Sequence, residues 1–182
     1  MATPAVSLMT VEQFRSLPED RGELCHELHQ GEMVAMTRPK LKHAILQRQL
    51  RRLLEGVSPE GSYVDTEVAF RPLPEYELRV ADVAYVSAER WARMDPDDYL
   101  AGVPELVIEV LSPGNTASEM YEREMMCLRN GGREFWVVDA QRQHVRVARA
   151  DGPSVTYARG EAIPLTVLGG TTTTLAVDAV FA

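Results

Sequence analysis

The spacing of apolar and polar positions predicts one long amphipathic helix near the middle of the N-terminal half. Between Lys42 and Val57 apolar residues recur at intervals of three and four, which places them on one helix face. Gln47 and the arginines of this segment are expected on the opposite side, facing solvent. The residues of the apolar stripe are Leu46, Leu50, Leu53, Leu54 and Val57.

Two further helices are predicted from capping-box spacing, a Ser or Thr followed three residues later by Glu or Gln. One spans Thr10 to Leu17, and Pro18 comes directly after its end. The other spans about Ala117 to Arg129, with Thr116 and Glu119 in the capping positions. The apolar stripe expected for this helix consists of Tyr121, Met125 and Leu128.

Runs of β-branched and aromatic residues predict the strands. The run from Leu106 to Leu111 is apolar at nearly every position, which is typical of a strand buried on both faces of a sheet. A segment ending near His29, either helix or strand, is expected to turn at Gly31 into a strand. The strands and shorter β segments are Met33–Met36, Tyr63–Phe70, Leu78–Val86, Glu134–Asp139, His144–Arg149, Val155–Ala158, Thr166–Leu168 and Thr173–Val177.

The order of these elements predicts one domain. Helices and strands are interleaved without a linker or an internal repeat, so we expect an α/β (α+β) fold with a central mixed β-sheet flanked by helices. A chain of 182 residues, 45% of them hydrophobic, is long enough to build one such core. We therefore assign residues 1–182 to a single domain.

Two carboxylates lie inside predicted strands, where a charge is costly unless it is paired, hydrogen-bonded or bound to a cation. Glu109 lies within the most apolar strand, whereas Glu105 lies at its start, where water is expected to be near. Asp82 shares a strand face with Val80, Ala84 and Val86 if side chains alternate. A third acidic residue, Glu27, accompanies two leucines on an earlier segment.

If the strands of Asp82 and Glu109 are neighbours, the two carboxylates converge and repel each other. A divalent cation would relieve that repulsion, and Mg²⁺ prefers oxygen ligands of this kind. The plainer alternative is structural, with Asp82 capping a turn and Glu109 pairing with a nearby arginine.

Charge and composition limit the classes of function. The net charge of −8 argues against loose binding to nucleic acid through a basic surface, although it does not exclude a nuclease that works through metal ions. The two cysteines, Cys25 and Cys127, form no zinc or redox motif. The first residues do not have the features of a signal peptide, and no apolar run reaches the length of about 20 residues needed to span a bilayer. A cytoplasmic protein without a membrane segment is therefore expected.

Five sequence blocks stand in a characteristic order. They are ELHQGE (27–32), KHAILQRQL (42–50), ADVAYV (81–86), PELVIEVLSP (104–113) and GGREFWVVD (131–139). In order and spacing this series resembles the Uma-two family, which belongs to the restriction-endonuclease-like proteins of the PD-(D/E)xK superfamily. The resemblance implies a restriction-endonuclease-like core and a Mg²⁺-dependent DNA endonuclease.

The resemblance also implies roles for individual residues. Asp82 and Glu109 would be the metal ligands, joined by the backbone carbonyl of Val110, with Mg²⁺ as the ion and Mn²⁺ as a substitute. Glu27 would be a third acidic member that binds the ion or orients water. His43 would orient phosphate or water, and a purely structural histidine is the alternative.

The chain departs from the family pattern at two positions. Ala81 stands where proline usually precedes the aspartate. The superfamily lysine two residues after the glutamate is replaced by Leu111, and in the related proteins this lysine lies on the following helix, at the position of Arg123. Arginine keeps the charge and can contact the scissile phosphate, but it does not lose its proton in proteins and cannot act as a general base. Glu119 would accompany Arg123 near the substrate, unless the two form an ordinary ion pair one helical turn apart.

Three functions are compatible with these observations. The first is a metal-dependent DNA endonuclease. The second is a non-catalytic nuclease-fold module that binds a protein or nucleic-acid partner, and the third is a hydrolase of small phosphodiesters with the same metal site. A homodimer is expected because it would present two sites to the two strands of a duplex, with Thr171–Phe181 as the candidate partner surface.

Overall fold

The structure is a computed structural model that describes residues 8–17, 25–36, 40–169 and 173–182. Its helices are α1 (Val11–Arg15), α2 (Leu41–Glu55), α3 (Ala88–Trp91), α4 (Ala117–Arg129) and α5 (Val177–Val180), and a 3₁₀ helix spans Thr166–Leu168. Its strands are β1 (Cys25–His29), β2 (Glu32–Met36), β3 (Tyr63–Arg71), β4 (Arg79–Val86), β5 (Leu100–Ala101), β6 (Leu106–Val110), β7 (Glu134–Asp139), β8 (His144–Arg149), β9 (Val155–Ala158), β10 (Ala162–Pro164) and β11 (Thr174–Ala176).

Seven strands form one mixed sheet in the order β5-β3-β4-β6-β7-β8-β9. The β6–β7 and β3–β5 pairs are parallel, and the other neighbours are antiparallel. Helix α4 makes the crossover that the parallel pair β6–β7 requires. The predicted fold class, a central mixed sheet with packed helices, is confirmed.

Two small antiparallel pairs lie outside the central sheet, β1–β2 and β10–β11. Gln30 and Gly31 join β1 to β2 with φ angles of 49° and 83°, as a two-residue hairpin turn requires. The turn predicted at Gly31 is therefore confirmed, and the segment before it is a strand. Leu28 also bridges to Leu78, which ties this hairpin to the start of β4.

The core has one cluster on each face of the sheet. On one face the leucines of α2 pack with β-strand residues such as Trp136 and with the C-terminal segment, including Val177. On the other face Phe135 packs with residues of β3, β4 and β6 and with Cys127 of α4. Trp136 and Phe135 are neighbours on β7 and point to opposite faces, as alternation in a strand requires.

The predicted strands Leu106–Leu111, Glu134–Asp139 and His144–Arg149 are confirmed, and every residue of β6 and β7 is buried. Both capping boxes are present, with Thr10 and Gln13 on α1 and with Thr116 and Glu119 on α4. Pro18 lies outside the described residues. The long helix ends at Glu55, so Val57 lies beyond it and is exposed.

Three local predictions are wrong. Thr166–Leu168 is a 3₁₀ helix rather than a β segment. Glu105 is buried rather than near water, because Ser87 donates a hydrogen bond to it at 2.6 Å and Arg90 lies 3.4 Å from its second oxygen. Tyr121 is 60% exposed, and the face of α4 that is buried carries Arg123, Glu124 and Cys127 instead of the expected apolar stripe.

The C-terminal segment is not the exposed partner surface that was expected. Among its described residues, Leu175, Val177 and Val180 are buried in the core of the same chain. Their apolar side chains are already covered, and Thr171 and Thr172 lie outside the described residues. Within the described ranges, none of the helices has the length and apolar character needed to cross a membrane.

Candidate functional site

Asp82 and Glu109 lie opposite each other on the adjacent strands β4 and β6. The register pairs Val83 with Ile108 and Tyr85 with Leu106, and one further step along both strands brings Asp82 to Glu109. The backbone N–H of Val110 donates a hydrogen bond to Asp82 Oδ2 at 2.7 Å. The two strand-borne acids are therefore neighbours along the backbone, but Asp82 contacts Gln47 of α2 whereas Glu109 lies beside Arg123 of α4. Convergence of their carboxylates on one ion stays a prediction.

Asp82 is held by donors from three directions. In addition to Val110, the side chain of Gln47 donates from Nε2 to Asp82 Oδ1 at 2.8 Å, and His43 Nε2 lies 3.0 Å from the same oxygen. The hydrogen bond with Asp82 raises the pKa of His43, against the opposing effect of burial. Asp82 lies within a strand and does not cap a turn, so that alternative is wrong.

Side chains do not alternate regularly around Asp82. Ala81 packs in the same cluster as Ala84 and Val86, so the face predicted for Asp82 from period-two alternation is not maintained. The paired strand β3 is irregular at the opposite position, where Glu67 has a φ of 54°, outside the extended region. The Asp82 side chain can therefore meet residues of α2 at this point.

Gln47 and Glu67 belong to the site and were missed by the sequence reasoning. Gln47 was expected on the solvent side of α2, but it is only 2% exposed. Its Nε2 donates to Glu67 Oε1 as well as to Asp82. The signal that could have found it is its position one helical turn after His43, which places both side chains on one face. No pattern singled out Glu67, because it depends on the irregular backbone of β3.

Glu109 is a buried carboxyl beside one arginine. Arg123 Nε lies 3.0 Å from Glu109 Oε1, but the two groups are not in hydrogen-bonding geometry, and both atoms are buried without a hydrogen-bond partner. Burial raises the pKa of Glu109 well above its usual value; Arg123 opposes this shift, and Asp82, Glu27 and Glu67 reinforce it. The predicted pairing with an arginine is present, but it leaves the charge of Glu109 incompletely balanced.

Arg123 makes its side-chain hydrogen bonds with Glu27 rather than with Glu109. Its Nη1 and Nη2 donate to the two carboxylate oxygens of Glu27 at 3.3 and 3.0 Å, and Nη2 also donates to the carbonyl of Val80. The side chain of Arg123 is only 8% exposed. The expected contact of Arg123 with a scissile phosphate is therefore not supported, because its N–H groups are directed at protein oxygens.

Glu27 is fully buried at the centre of this cluster. The backbone N–H of Val80 donates to it at 2.7 Å, His29 Nε2 lies 2.6 Å away, and Arg79 lies 3.6 Å away. Burial alone would raise the pKa of Glu27, but Arg123 and the hydrogen bonds from His29 and Val80 outweigh it and lower the pKa to about 2. Sequence reasoning missed His29 and Arg79. The available signal for His29 was its position two residues after Glu27 on β1, which places both side chains on the same face of the strand.

Glu119 lies apart from this cluster. Its carboxylate accepts hydrogen bonds from the N–H and the hydroxyl of Thr116 at 2.9 and 2.8 Å, and the side chain is exposed. Arg123 points into the protein towards Glu27, so the alternative of a Glu119–Arg123 ion pair is wrong. A role for Glu119 in substrate binding stays a prediction.

The chemistry of Asp82 and Glu109 fits a divalent cation that prefers oxygen. Both side chains offer only carboxylate oxygens, and Oε1 of Glu109 is buried without a hydrogen-bond partner. In the described parts of the chain, no group of three or more His, Cys, Asp or Glu side chains is arranged to hold a metal. Two carboxylates and a backbone carbonyl form a smaller set, which would leave positions for water and phosphate.

This architecture is similar to that of a known protein structure. A solved structure, described as that of a "putative nuclease belonging to DUF820 from Anabaena variabilis ATCC 29413", matches with a TM-score of 0.78 at 20% sequence identity. The match covers 95% of this chain and 97% of that chain, and it shows that the fold is the same. No curated protein matches the sequence significantly. The profile of the Uma2 family, described as "Putative restriction endonuclease", matches residues 11–178, and the chain therefore belongs to the Uma2 family.

Proposed function

We propose that this protein is a metal-dependent endonuclease that hydrolyses phosphodiester bonds of DNA. The observation that carries the proposal is the placement of Asp82 and Glu109 opposite each other on two adjacent central strands. The description of the family and the fold shared with a structure described as a nuclease support the same reaction class.

Asp82, Glu109 and the backbone carbonyl of Val110 would hold the ion, with Mg²⁺ favoured and Mn²⁺ as a substitute. When bound, such an ion polarises a phosphodiester and lowers the pKa of the attacking water. The Asp82 side chain is 17% exposed, so this end of the site is the one accessible to a substrate.

The residues next to the proposed metal ligands determine the local charge and the orientation of the side chains in the site. Glu27 holds the Arg123 guanidinium in place, and Arg123 sets a permanent positive charge beside Glu109. Arg123 cannot accept a proton from water, because arginine stays protonated in proteins. His43 would position Asp82, and either Glu27 or His43 would orient a water molecule.

Plasmid nicking by the purified protein tests this proposal. With Mg²⁺ or Mn²⁺ present, wild type should nick supercoiled DNA, and Asp82→Asn and Glu109→Gln should lower the rate at least about 100-fold because each removes a charged ligand. Asp97→Asn is the matched control, since Asp97 is an exposed acid far along the chain from both ligands. Undiminished nicking by Asp82→Asn would remove the assignment.

A second candidate function is a non-catalytic module with a nuclease fold. The observation that favours it is the burial of Arg123, whose two terminal nitrogens both donate hydrogen bonds to Glu27, with a further bond from Nη2 to the carbonyl of Val80. Such a module would bind a protein or nucleic-acid partner. Wild type that binds Mn²⁺ but neither nicks DNA nor changes its electrophoretic mobility would favour a protein partner, and a mobility shift without nicking would favour nucleic acid.

The proposed enzyme is one restriction-endonuclease-like domain over residues 1–182 and acts in the cytoplasm. We keep the homodimer as part of the proposal, since two sites related by a two-fold axis can address both strands of a duplex. Light scattering that finds only monomers over the assay concentrations would remove the dimer from the proposal.

A further inference from the structure

Gln47 connects two acidic residues through a single nitrogen atom. Its Nε2 donates to Asp82 Oδ1 at 2.8 Å and also donates to Glu67 Oε1. A carboxamide nitrogen carries two hydrogens, one for each acceptor, so both bonds can form at once. The amide is almost completely buried, whereas Glu67 is exposed.

The three residues come from three different elements. Gln47 is on α2, Glu67 is on β3 and Asp82 is on β4. In the β3–β4 register Thr66 faces Val83 and Val68 faces Ala81, so Glu67 and Asp82 fall at opposite positions. Like charges at opposite positions across two strands repel each other. The amide of Gln47 bridges them and adds no charge of its own.

The absence of charge on Gln47 matters for a cation site. A lysine or arginine at this position would neutralise Asp82 and compete with a metal ion for its oxygen atoms. The amide itself orients Asp82 without neutralising it, whereas His43, 3.0 Å from the same Oδ1, opposes the Asp82 charge only when it is protonated. Among the described residues Glu67 is in no ion pair, and its side chain accepts the hydrogen bond from Gln47.

The backbone of Glu67 is adapted to this bridge. Its φ of 54° lies in the left-handed region, which residues other than glycine rarely adopt and which costs conformational energy. Neither strand neighbour of Glu67 has a positive φ. The strained backbone at this one position accompanies the hydrogen bond from Gln47.

We propose that Gln47 is a positioning residue of the metal site, that Glu67 anchors its amide, and that together they hold Asp82 in the orientation that binds the cation. The inference rests on the proposed function, since it concerns the ligand Asp82. Glu67 acts through its acceptor oxygen in this arrangement, and it contacts neither the ion nor the substrate.

The test measures Mn²⁺ affinity by calorimetry on the full-length protein. Gln47→Leu removes both hydrogen bonds at similar volume and should weaken Mn²⁺ binding about 10- to 100-fold, the range typical of groups that orient a metal ligand. The matched control is Gln49→Leu on the same helix, which loses the hydrogen bond of Gln49 to the carbonyl of Ala179 at 2.9 Å. That control should bind Mn²⁺ as wild type does.

Two substitutions at the exposed Glu67 separate anchoring from charge, and both should fold. Glu67→Gln keeps an acceptor oxygen for the Gln47 amide and should weaken Mn²⁺ binding less than Glu67→Ala does. Glu67→Ala removes the acceptor and should weaken binding about 3- to 10-fold, less than Gln47→Leu because Asp82 keeps its own bond to Gln47. Equal losses in the two variants would assign Glu67 an electrostatic role and overturn the anchoring proposal.

The remaining outcomes distinguish this inference from the proposed function. Unchanged Mn²⁺ affinity in Gln47→Leu, together with lost affinity in Asp82→Asn, would overturn the role of Gln47 and leave the metal site intact. Unchanged affinity in Asp82→Asn, or no binding by wild type, would overturn both. If Gln47→Leu does not fold, the pair of Glu67 variants decides.

Discussion

The two long helices, α2 and α4, pack on different faces of the sheet and do so by different means. Helix α2 buries leucines such as Leu50 in a continuous apolar cluster. Helix α4 buries two charged residues, Arg123 and Glu124, next to Cys127. Arg123 is bound to Glu27, and Glu124 accepts a hydrogen bond from Arg146 on β8. Helix α2 therefore packs by removing apolar surface from water, whereas helix α4 packs with ion-paired side chains beside an apolar cluster.

This difference separates stability from function in the molecule. Apolar packing is insensitive to pH and tolerates conservative substitution, whereas buried charges depend on each partner and on its protonation state. The face of α4 carries Glu109, one of the two proposed metal ligands, whereas Asp82 contacts Gln47 of α2. We therefore expect substitutions on the two faces to respond differently to pH and to metal.

The largest effect is expected from Arg123→Met. The change leaves Glu27 and Glu109 buried without their counter-ion, which should lower the free energy of unfolding by about 3 to 5 kcal/mol. Urea unfolding at pH 7 measures it. Arg129→Met, at the exposed end of the same helix, should change stability by less than about 0.5 kcal/mol. Similar values for the two variants would contradict a structural role for the Arg123 charge.

Leu50→Ala is the corresponding test on the face of α2. Leu50 is fully buried, so the truncation should cost about 2 to 5 kcal/mol through lost apolar burial and the remaining cavity. This cost should be the same at pH 4 and at pH 7, because Leu50 is buried in a hydrophobic cluster. A cost that varies strongly with pH would show that the two faces are not independent.

Lowering the pH should destabilise the folded protein through protonation of Glu27, which pairs with Arg123 of α4. Its pKa falls from 4.5 in the unfolded chain to about 2 in the folded protein, so its stabilising contribution is complete above pH 4.5 and disappears as the pH falls through 2. The contribution is roughly 3 kcal/mol at most, from a shift of that size. Unfolding curves of wild type and Glu27→Gln between pH 2 and pH 6 measure it.

The stability of wild type and that of Glu27→Gln should therefore depend differently on pH between about pH 2 and pH 6. Wild type should lose stability more steeply than Glu27→Gln as the pH decreases. Parallel curves would mean that Glu27 is not the group whose protonation weakens the fold.

A smaller effect of opposite sign is expected at Glu109. Its pKa is raised by burial, so ionisation destabilises the folded state increasingly as the pH rises above 4.5 towards the folded pKa. Glu109→Gln should therefore stabilise the protein at pH 7 by about 1 kcal/mol, as is common when a functional group under strain is replaced. A thermal melt measures it, and a lower melting temperature would contradict the account of Glu109 as an unbalanced charge.

The sequence predicted well those elements whose burial is apolar. The strand around Ile108, the strand around Trp136 and the leucine face of α2 follow from patterns that the hydrophobic effect dictates directly. It predicted α4 only by its capping box; its buried face was assigned wrongly because a buried arginine has the same sequence signature as an exposed one. The partner of Arg123, at Glu27, is 96 residues away, and no local pattern can indicate such a pair.

The residues of the candidate site likewise divide into those that a sequence pattern indicates and those that it does not. Asp82 and Glu109 could be found because an acid within an apolar strand is unusual. Gln47 was missed, since a single amide on an amphipathic helix is common, and its spacing from His43 gains meaning only once the place of Asp82 in the folded protein is known. The left-handed backbone at Glu67 was likewise not predictable, because the residue is neither glycine nor asparagine, the types that most often adopt it.

The most direct test of the central claim is a calorimetric titration of Mn²⁺ into wild type, Asp82→Asn and Glu109→Gln, each in two buffers of different ionisation enthalpy. The account predicts that wild type binds Mn²⁺ and that binding is coupled to proton release, because the ion competes with a proton for Glu109, whose pKa burial raises well above its usual value. It also predicts that neither variant binds measurably. Equal binding by all three proteins, without proton release, would contradict it.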